Sequence, residues 1–329
     1  MGISPISFEE VDGLIYYTSI TTNGIINNGL ERNWGIDRNW NSPNLSNISG
    51  NLDSGYYQVN YTWVYADGRE SGCSRSSIIT VPQDSGISVE IPLAPTSVIY
   101  ARIYVSTQNG NTLYYHGMCQ PNTTYSIYDV FGIVDPLRFF NIDKAPLGHI
   151  VKYYRGRMYI ASGNILWYSE PFQYEQFKLD SNYFEFPEEI REIMPVEDGI
   201  WIGSDRLYYL SGEEPDKFKR TVKEHIKIVP GTSTRISGSY IHMDNTPIGY
   251  KWIVTSNLGI WVLFNQGICI NMTSDNIALD QADSGTSLFL QNSGMNRYMS
   301  ILKTNSNPNN SVMGDLVETT IVRNGVIIN

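Results

Sequence analysis

Four histidines, three cysteines and an acidic stretch are the side chains of this 329-residue sequence that could do chemistry. His116, His149, His225 and His242 lie far apart, without the paired spacing that lets neighbouring positions share a metal ion. Cys73, Cys119 and Cys269 are odd in number and widely spaced, matching neither a zinc pattern nor CxxC. They read as buried free thiols of a protein made in a reducing compartment. No Gly-rich phosphate loop, GxSxG elbow or HExxH helix is present. Glu185, Glu188, Glu189, Glu192, Glu197 and Asp198 could supply the two carboxylates of a glycosidase, which stand about 5–10 Å apart across the scissile bond. They equally suit a solvated acidic rim, and the Ser/Asp-Gly-Thr-Trp turn repeated in sialidase-type propellers is missing. The sequence therefore predicts no catalytic residue, no metal ligand and no cofactor.

Basic residues cluster twice, at Lys144, His149, Lys152, Arg155 and Arg157, and at Lys217, Lys219, Arg220, Lys223 and Lys227. The chain as a whole is acidic, with 23 Lys+Arg against 33 Asp+Glu and a net charge of −10. A local basic segment in such a chain could dock on an acidic surface of a neighbouring subunit. Lys152, Arg155, Arg157, Lys217, Lys219, Arg220, Lys223 and Lys227 are thus candidate subunit contacts, and each also fits a solvated loop. Sequence-independent DNA binding needs a positive surface that releases counterions. The acid balance argues against a DNA grip and suits a wall that repels a polyanion. Tyr and Trp in loops could be interface anchors or platforms for sugar rings, and the sequence leaves both readings open.

Composition says what must position these groups. Charged residues make up 17% and aromatics 12%, with 23 Tyr, 28 Gly and 15 Pro. This excludes coiled coil, collagen and charge-driven disorder, and disfavours a helix bundle. Between Gly50 and Val130 the pattern is that of a β-sandwich. Tyr57, Val59, Tyr61, Trp63 and Tyr65 alternate with Gln58, Asn60 and Thr62, a period of two that marks a strand with one buried face. Asp67-Gly68 supplies a hairpin turn. Further strands are predicted over Ser76–Val81, Ile87–Ile91, Val98–Thr107, Thr112–Met118 and Thr123–Tyr128, with Ile99, Ala101, Ile103 and Val105 lining the core. The sandwich is placed at 49–135.

Outside it a glycine followed by an apolar-aromatic strand recurs at Gly13, Gly156, Gly199 and Gly259. The last three run through a polar turn into a second strand, as propeller blades do at roughly 40–50 residues each. The chain at 1–48 and 136–329 is read as a propeller-like domain of about five blades, its first strand closing against Leu316–Ile328. The fold class is all-β, a propeller-like domain with an inserted immunoglobulin or fibronectin III-like sandwich. Single helical turns are expected at Pro187–Ile193 and Pro215–Phe218, and a loop at Asn305–Asn310. The sequence shows no secretory signal, and its longest apolar run, near Gly259–Ile270, falls short of the roughly 20 residues of a membrane helix.

Particular segments carry a resemblance. Gly55–Thr62, Asp67–Ser71, Ala101–Tyr104, Tyr114–His116 and Tyr125–Asp129 resemble the fibronectin type III-like module of phage virion proteins. Tyr153–Tyr159, Leu166–Phe172, Asp198–Gly203 and Tyr209–Asp216 are similar to the propeller part of the tail nozzle (tail tubular protein B-like) family of short-tailed phages, whose members are usually longer. The resemblance implies a non-enzymatic subunit of the virion tail, made in the host cytoplasm. It would form a homo-oligomeric ring, a hexamer being one form, and meet other tail or portal/adaptor proteins. Viral DNA would pass through without specific binding, and no membrane insertion is implied. The alternatives are a carbohydrate-binding receptor-recognition protein and, third, a propeller glycosidase.

Overall fold

The computed structural model describes residues 5–95, 97–238, 240, 249–273, 282–292, 295–303 and 316–321, the last segment and positions 292 and 295 by backbone alone. His242 and the Asn305–Asn310 loop lie outside the described residues. Those described are all-β. Their helical elements are two 3-10 turns, Pro215–Lys217 and Asn265–Gly267, and no helix among them is long and apolar enough to cross a membrane.

Turn chemistry sets the first hairpins. Strands β1 (Ser7–Val11) and β2 (Leu14–Thr18) pair through Asp12-Gly13, and β3 (Asn23–Asn27) pairs with β4 (Leu30–Arg32) through Asn28-Gly29. All four turn residues have positive φ, as a type I′ turn requires. Then come β5 (Asn44–Leu52), β6 (Gly55–Tyr65), β7 (Ser77–Val81), β8 (Ser85–Glu90), β9 (Val98–Ser106), β10 (Leu113–Cys119) and β11 (Thr124–Ile127). They form two antiparallel sheets, β10-β9-β6-β7 and β11-β8-β5.

The rest of the chain runs as consecutive antiparallel sheets. In the first, β12 (Ile150–Tyr154), β13 (Arg157–Ser162) and β14 (Ile165–Glu170) lie in order. The outer end of β14 pairs with β15 (Gln173–Phe177), and its start pairs with β16 (Tyr183–Glu185). The second is β17 (Glu192–Val196), β18 (Gly199–Gly203), β19 (Leu207–Ser211) and β20 (Lys219–Glu224). The third is β21 (Thr234–Ile236), β22 (Lys251–Ser256), β23 (Gly259–Leu263) and β24 (Cys269–Asn271), and β25 (Ser284–Asn292), β26 (Met295–Lys303) and β27 (Leu316–Ile321) make the last.

The chain divides into two compact units, one of Met1–Asn23, Leu147–Trp167 and Tyr183–Asn329, the other of Gly24–Pro146 with Tyr168–Asn182. In the second unit the sandwich core joins Tyr57, Val59, Tyr61 and Trp63 of β6 to Ala101, Ile103 and Val105 of β9 and Ile87 and Val89 of β8. Alternation thus buries the face expected of β6. Its polar face is buried too, because the segment after the Asp67-Gly68 turn runs back over it. Ser71 and Ser74 donate backbone N–H bonds to the carbonyls of Trp63 and Tyr61, covering Asn60 and Thr62. Ile99 departs from expectation and is 43% exposed. A register shift against Val64 and Tyr65 turns β9 there, so Val98 packs on the core in its place.

In the first unit, sheets that follow one another in sequence also pack on one another. β1 lies beside β12, β12 beside β17, and β21 beside β25, so the opening strands are neighbours. Met194, Trp201 and Tyr209 of the β17–β20 sheet meet Trp252, Val254 and Trp261 of the next. Ile253, Val262 and Phe264 on the far side of that sheet meet Tyr298 and Phe289 of the last. This succession is that of propeller blades, and the unit is propeller-like. One expectation changes. Pro187–Ile193 forms no helical turn. Its end enters β17, with Ile190 donating to the Gly163 carbonyl and both Ile190 and Ile193 buried between sheets. Pro215–Lys217 does turn as expected. Among the described residues β1 pairs with β2 and β27 with β26, and the rest of the expected closing segment, 322–328, lies outside the described residues.

Candidate functional site

The opening strands of the propeller-like unit bring together polar side chains from distant parts of the sequence. On β1, alternation sends Ser7 and Glu9 toward β12. Ser7 Oγ accepts the Val151 N–H at 3.0 Å and Glu9 Oε1 the Tyr153 N–H at 3.2 Å. Lys152 Nζ stands 3.5 Å from Glu9 Oε2 and 5.9 Å from the centre of the Trp252 ring. On β17, Glu192 is buried and accepts from the Gly231 N–H at 2.6 Å and from Ser233 Oγ at 2.7 Å. Burial pushes the Glu192 carboxyl above its ordinary range. The Ser233 and Gly231 donors and the charge of Lys152 oppose that rise without cancelling it. Both Glu192 oxygens are thus already used to clamp one sheet to the next.

The other acidic candidates take separate partners. At the β17–β18 turn, Asp198 accepts from the Tyr209 hydroxyl at 2.7 Å and from the Gln266 N–H at 2.8 Å. Glu197 accepts from the Asn265 side-chain amide and from the Tyr250 N–H. Burial first, then the Asp198 carboxylate, pushes the Tyr209 hydroxyl far up. Glu188 pairs with Lys227 at 2.8 Å, Glu189 stands 4.0 Å from His149 Nε2, and the Glu185 carbonyl accepts from Arg220 at 2.6 Å. Among the described residues no group of three or more His, Cys, Asp or Glu could hold a metal ion.

The basic candidates are largely engaged by their own chain. Lys152 meets Glu9, Arg157 meets Glu214 at 3.1 Å, and Lys227 meets Glu188. Arg155 donates to the carbonyls of Glu197 and Gly212, and Arg220 also lies over the rings of Phe186 and Tyr208. Lys223 lies 5.8 Å from the Tyr209 ring centre, while Lys217 and Lys219 stand exposed. From the first cluster, Lys144 pairs with Asp37 at 2.6 Å. His149 Nε2 bonds the Ile190 carbonyl at 2.6 Å, and His116 bridges the Tyr125 hydroxyl and the Asp129 carbonyl. His225 is exposed. All three cysteines are free, Cys73 buried and Cys119 and Cys269 half-buried. Burial pushes the Cys269 thiol up to about 11.

The sandwich unit contains a cleft of about 890 Å³ that no motif announced. Trp63, Tyr65, Arg32, Arg69, Asn39 and Asn41 are among its lining residues. Glu175 holds its wall, receiving Arg32 at 2.6 Å and Arg69 at 2.8 Å. Burial tends to raise the Asp67 carboxyl, but hydrogen bonds from Arg69 and the charges of Arg69 and Arg32 outweigh it and hold the group below its ordinary value. Aromatic rings beside amides and fixed charges are the chemistry of a polar ligand site. The signal for it lay only in side chains that the fold assembles.

No family model and no curated relative matches the sequence. Among solved structures the chain is similar to the crystal structure of BBS1N in complex with ARL6DN soaked with mercury, at 10% identity and a TM-score of 0.35, over 100% of this chain and 95% of that one. It is similar also to the same complex soaked with lead, at 10% identity and a TM-score of 0.34, over 92% of this chain and 91% of that one. The propeller-like architecture rests on strand order and inter-sheet packing in this chain.

Proposed function

We propose that the chain is a structural, non-enzymatic subunit of a phage tail, of the nozzle or head-to-tail channel kind, that assembles with its own copies around the path of the DNA. One observation supports the reading above others. The nozzle-like segments fall in register with the sheets. Tyr153–Tyr159 makes the β12–β13 hairpin, Leu166–Phe172 contains most of β14, Asp198–Gly203 contains β18, and Tyr209–Asp216 leads from β19 into its 3-10 turn. The net charge of −10 fits a channel wall that does not hold DNA. Electron microscopy of the purified full chain tests the reading. Rings of uniform diameter with carboxylates on the axial face are expected. Dispersed single particles, or a neutral or basic axial face, would overturn it.

The cleft beside Trp63 and Tyr65 favours a second reading, a virion protein that binds host glycan. An oligosaccharide array would then return reproducible micromolar binding that Tyr65→Ala removes. A blank array rejects this reading.

A further inference from the structure

Charge pairing in the cleft of the sandwich unit singles out one residue. The cleft's walls come wholly from that unit, and its charged lining is Arg32, Asp37, Arg38, Asp67 and Arg69. All but one of these are neutralised by neighbours. Arg32 and Arg69 share the Glu175 carboxylate at 2.6 and 2.8 Å, Asp67 receives Arg69 Nε at 2.8 Å, and Asp37 pairs with Lys144 at 2.6 Å. Arg38 makes no ion pair among the described residues. Its Nε donates to the Cys73 carbonyl at 3.0 Å, and its guanidinium lies 4.5 Å from the centre of the Trp40 ring. Asp143 feels the Arg38 charge but forms no ion pair with it. One edge and one face of the guanidinium are therefore fixed, and both Nη atoms remain as donors without a protein acceptor among the described residues. A fork held in this way grips a two-oxygen anion through parallel hydrogen bonds.

The uncharged lining says what the anion is attached to. The Asn33 and Asn41 side-chain amides and the Tyr65 hydroxyl bond no other group of the described residues, although the backbones of both asparagines are engaged. An amide both donates and accepts, and so does a phenol, which is what sugar hydroxyls require of a site. The volume of about 890 Å³ lies in the range of small-ligand clefts, about 300–1,000 Å³. We propose that the cleft takes an acidic saccharide, its carboxylate or sulfate ester held by Arg38 and its hydroxyls by Asn33, Asn41 and Tyr65. A single negative charge on the ligand matches the one unpaired cation, whereas a polyanion would also meet Asp37 and Asp67. The net charge of −10 opposes general retention of such a ligand, so its binding reports this cleft. The inference rests on the glycan-binding reading and adds the class of glycan and the residue that selects it.

An array of oligosaccharides tests it on the full chain, with members carrying a single carboxylate, members carrying a single sulfate ester, and the neutral parent of each. At least one acidic series is expected to bind about tenfold or more tightly than its neutral parent, and the series that binds identifies the anion. Arg38→Lys keeps a positive charge but loses the fork, and should cut that preference by about fivefold or more. Asn41→Ala, at a side chain that bonds nothing in the fold, should weaken acidic and neutral members alike by about threefold to tenfold. Far-UV circular dichroism reports folding. If Arg38→Lys does not fold, the acidic-to-neutral ratio of the wild type and the loss on Asn41→Ala decide. Equal binding of acidic and neutral members, or an acidic preference that folded Arg38→Lys leaves whole, overturns the inference, while neutral binding that Tyr65→Ala removes still supports the glycan-binding reading. A blank array overturns both.

Discussion

Burial and hydrogen bonding pull the Glu192 carboxyl in opposite directions, and burial prevails. Its value in the folded chain therefore lies above the ordinary 4.5. A group shifted this way stabilises the fold fully at low pH, and that contribution is lost as pH rises through the folded value. Glu192→Gln keeps an oxygen for the Gly231 N–H and turns an amide N–H toward Ser233 Oγ. The melting temperature of this variant should match or exceed wild type near neutrality, with a flatter decline as pH rises above the ordinary carboxylate range. Glu192→Ala leaves both donors unsatisfied beside a cavity and should cost about 2–4 kcal/mol in urea unfolding. An equally stable alanine variant would mean that Glu192 clamps nothing.

The recurring glycines that mark the hairpins serve two different needs. Gly13 and Gly156 sit inside their turns at φ of 77° and 74°, after residues that also have positive φ. Gly199 instead opens a strand one position later, opposite Val196. A Cβ there would come within 2.5 Å of the Leu210 carbonyl and of the Tyr209 ring, the ring whose hydroxyl bonds Asp198. Around Gly13 no atom lies within 4 Å of such a Cβ. Gly13→Ala should thus lose only the conformational term of about 1 kcal/mol. Gly199→Ala meets a filled space and should lose about 1–3 kcal/mol. Urea midpoints in the reverse order would contradict this division.

The charge of the whole chain bears on its dealings with DNA. A protein that grips phosphates loses affinity steeply with salt because it releases condensed counterions. With a net charge of −10 and much of its basic equipment paired with its own carboxylates and carbonyls, the full chain should not shift duplex DNA in a gel, even at about 50 mM salt. Tight binding that weakens with salt would count against a wall past which DNA slides.

Period-two aromatics on β6 and the glycine-marked hairpins were readable in the sequence, because alternation and turn geometry are set by residues close together in the chain. That was enough for the all-β class, for the propeller-like and sandwich parts, and for most strand limits. Packing decided the rest. The bulge that turns Ile99 outward depends on the partner strand, and Pro187–Ile193 feeds a strand because the neighbouring sheet supplies its hydrogen bonds and buries its isoleucines. Glu9, Lys152, Glu192 and Ser233 meet only because separate sheets set their opening strands side by side. The cleft around Trp63 likewise exists only once the segments carrying Arg32 and Tyr65 are folded together. No local pattern encodes such meetings, since their energy comes from surfaces that form after the strands have paired.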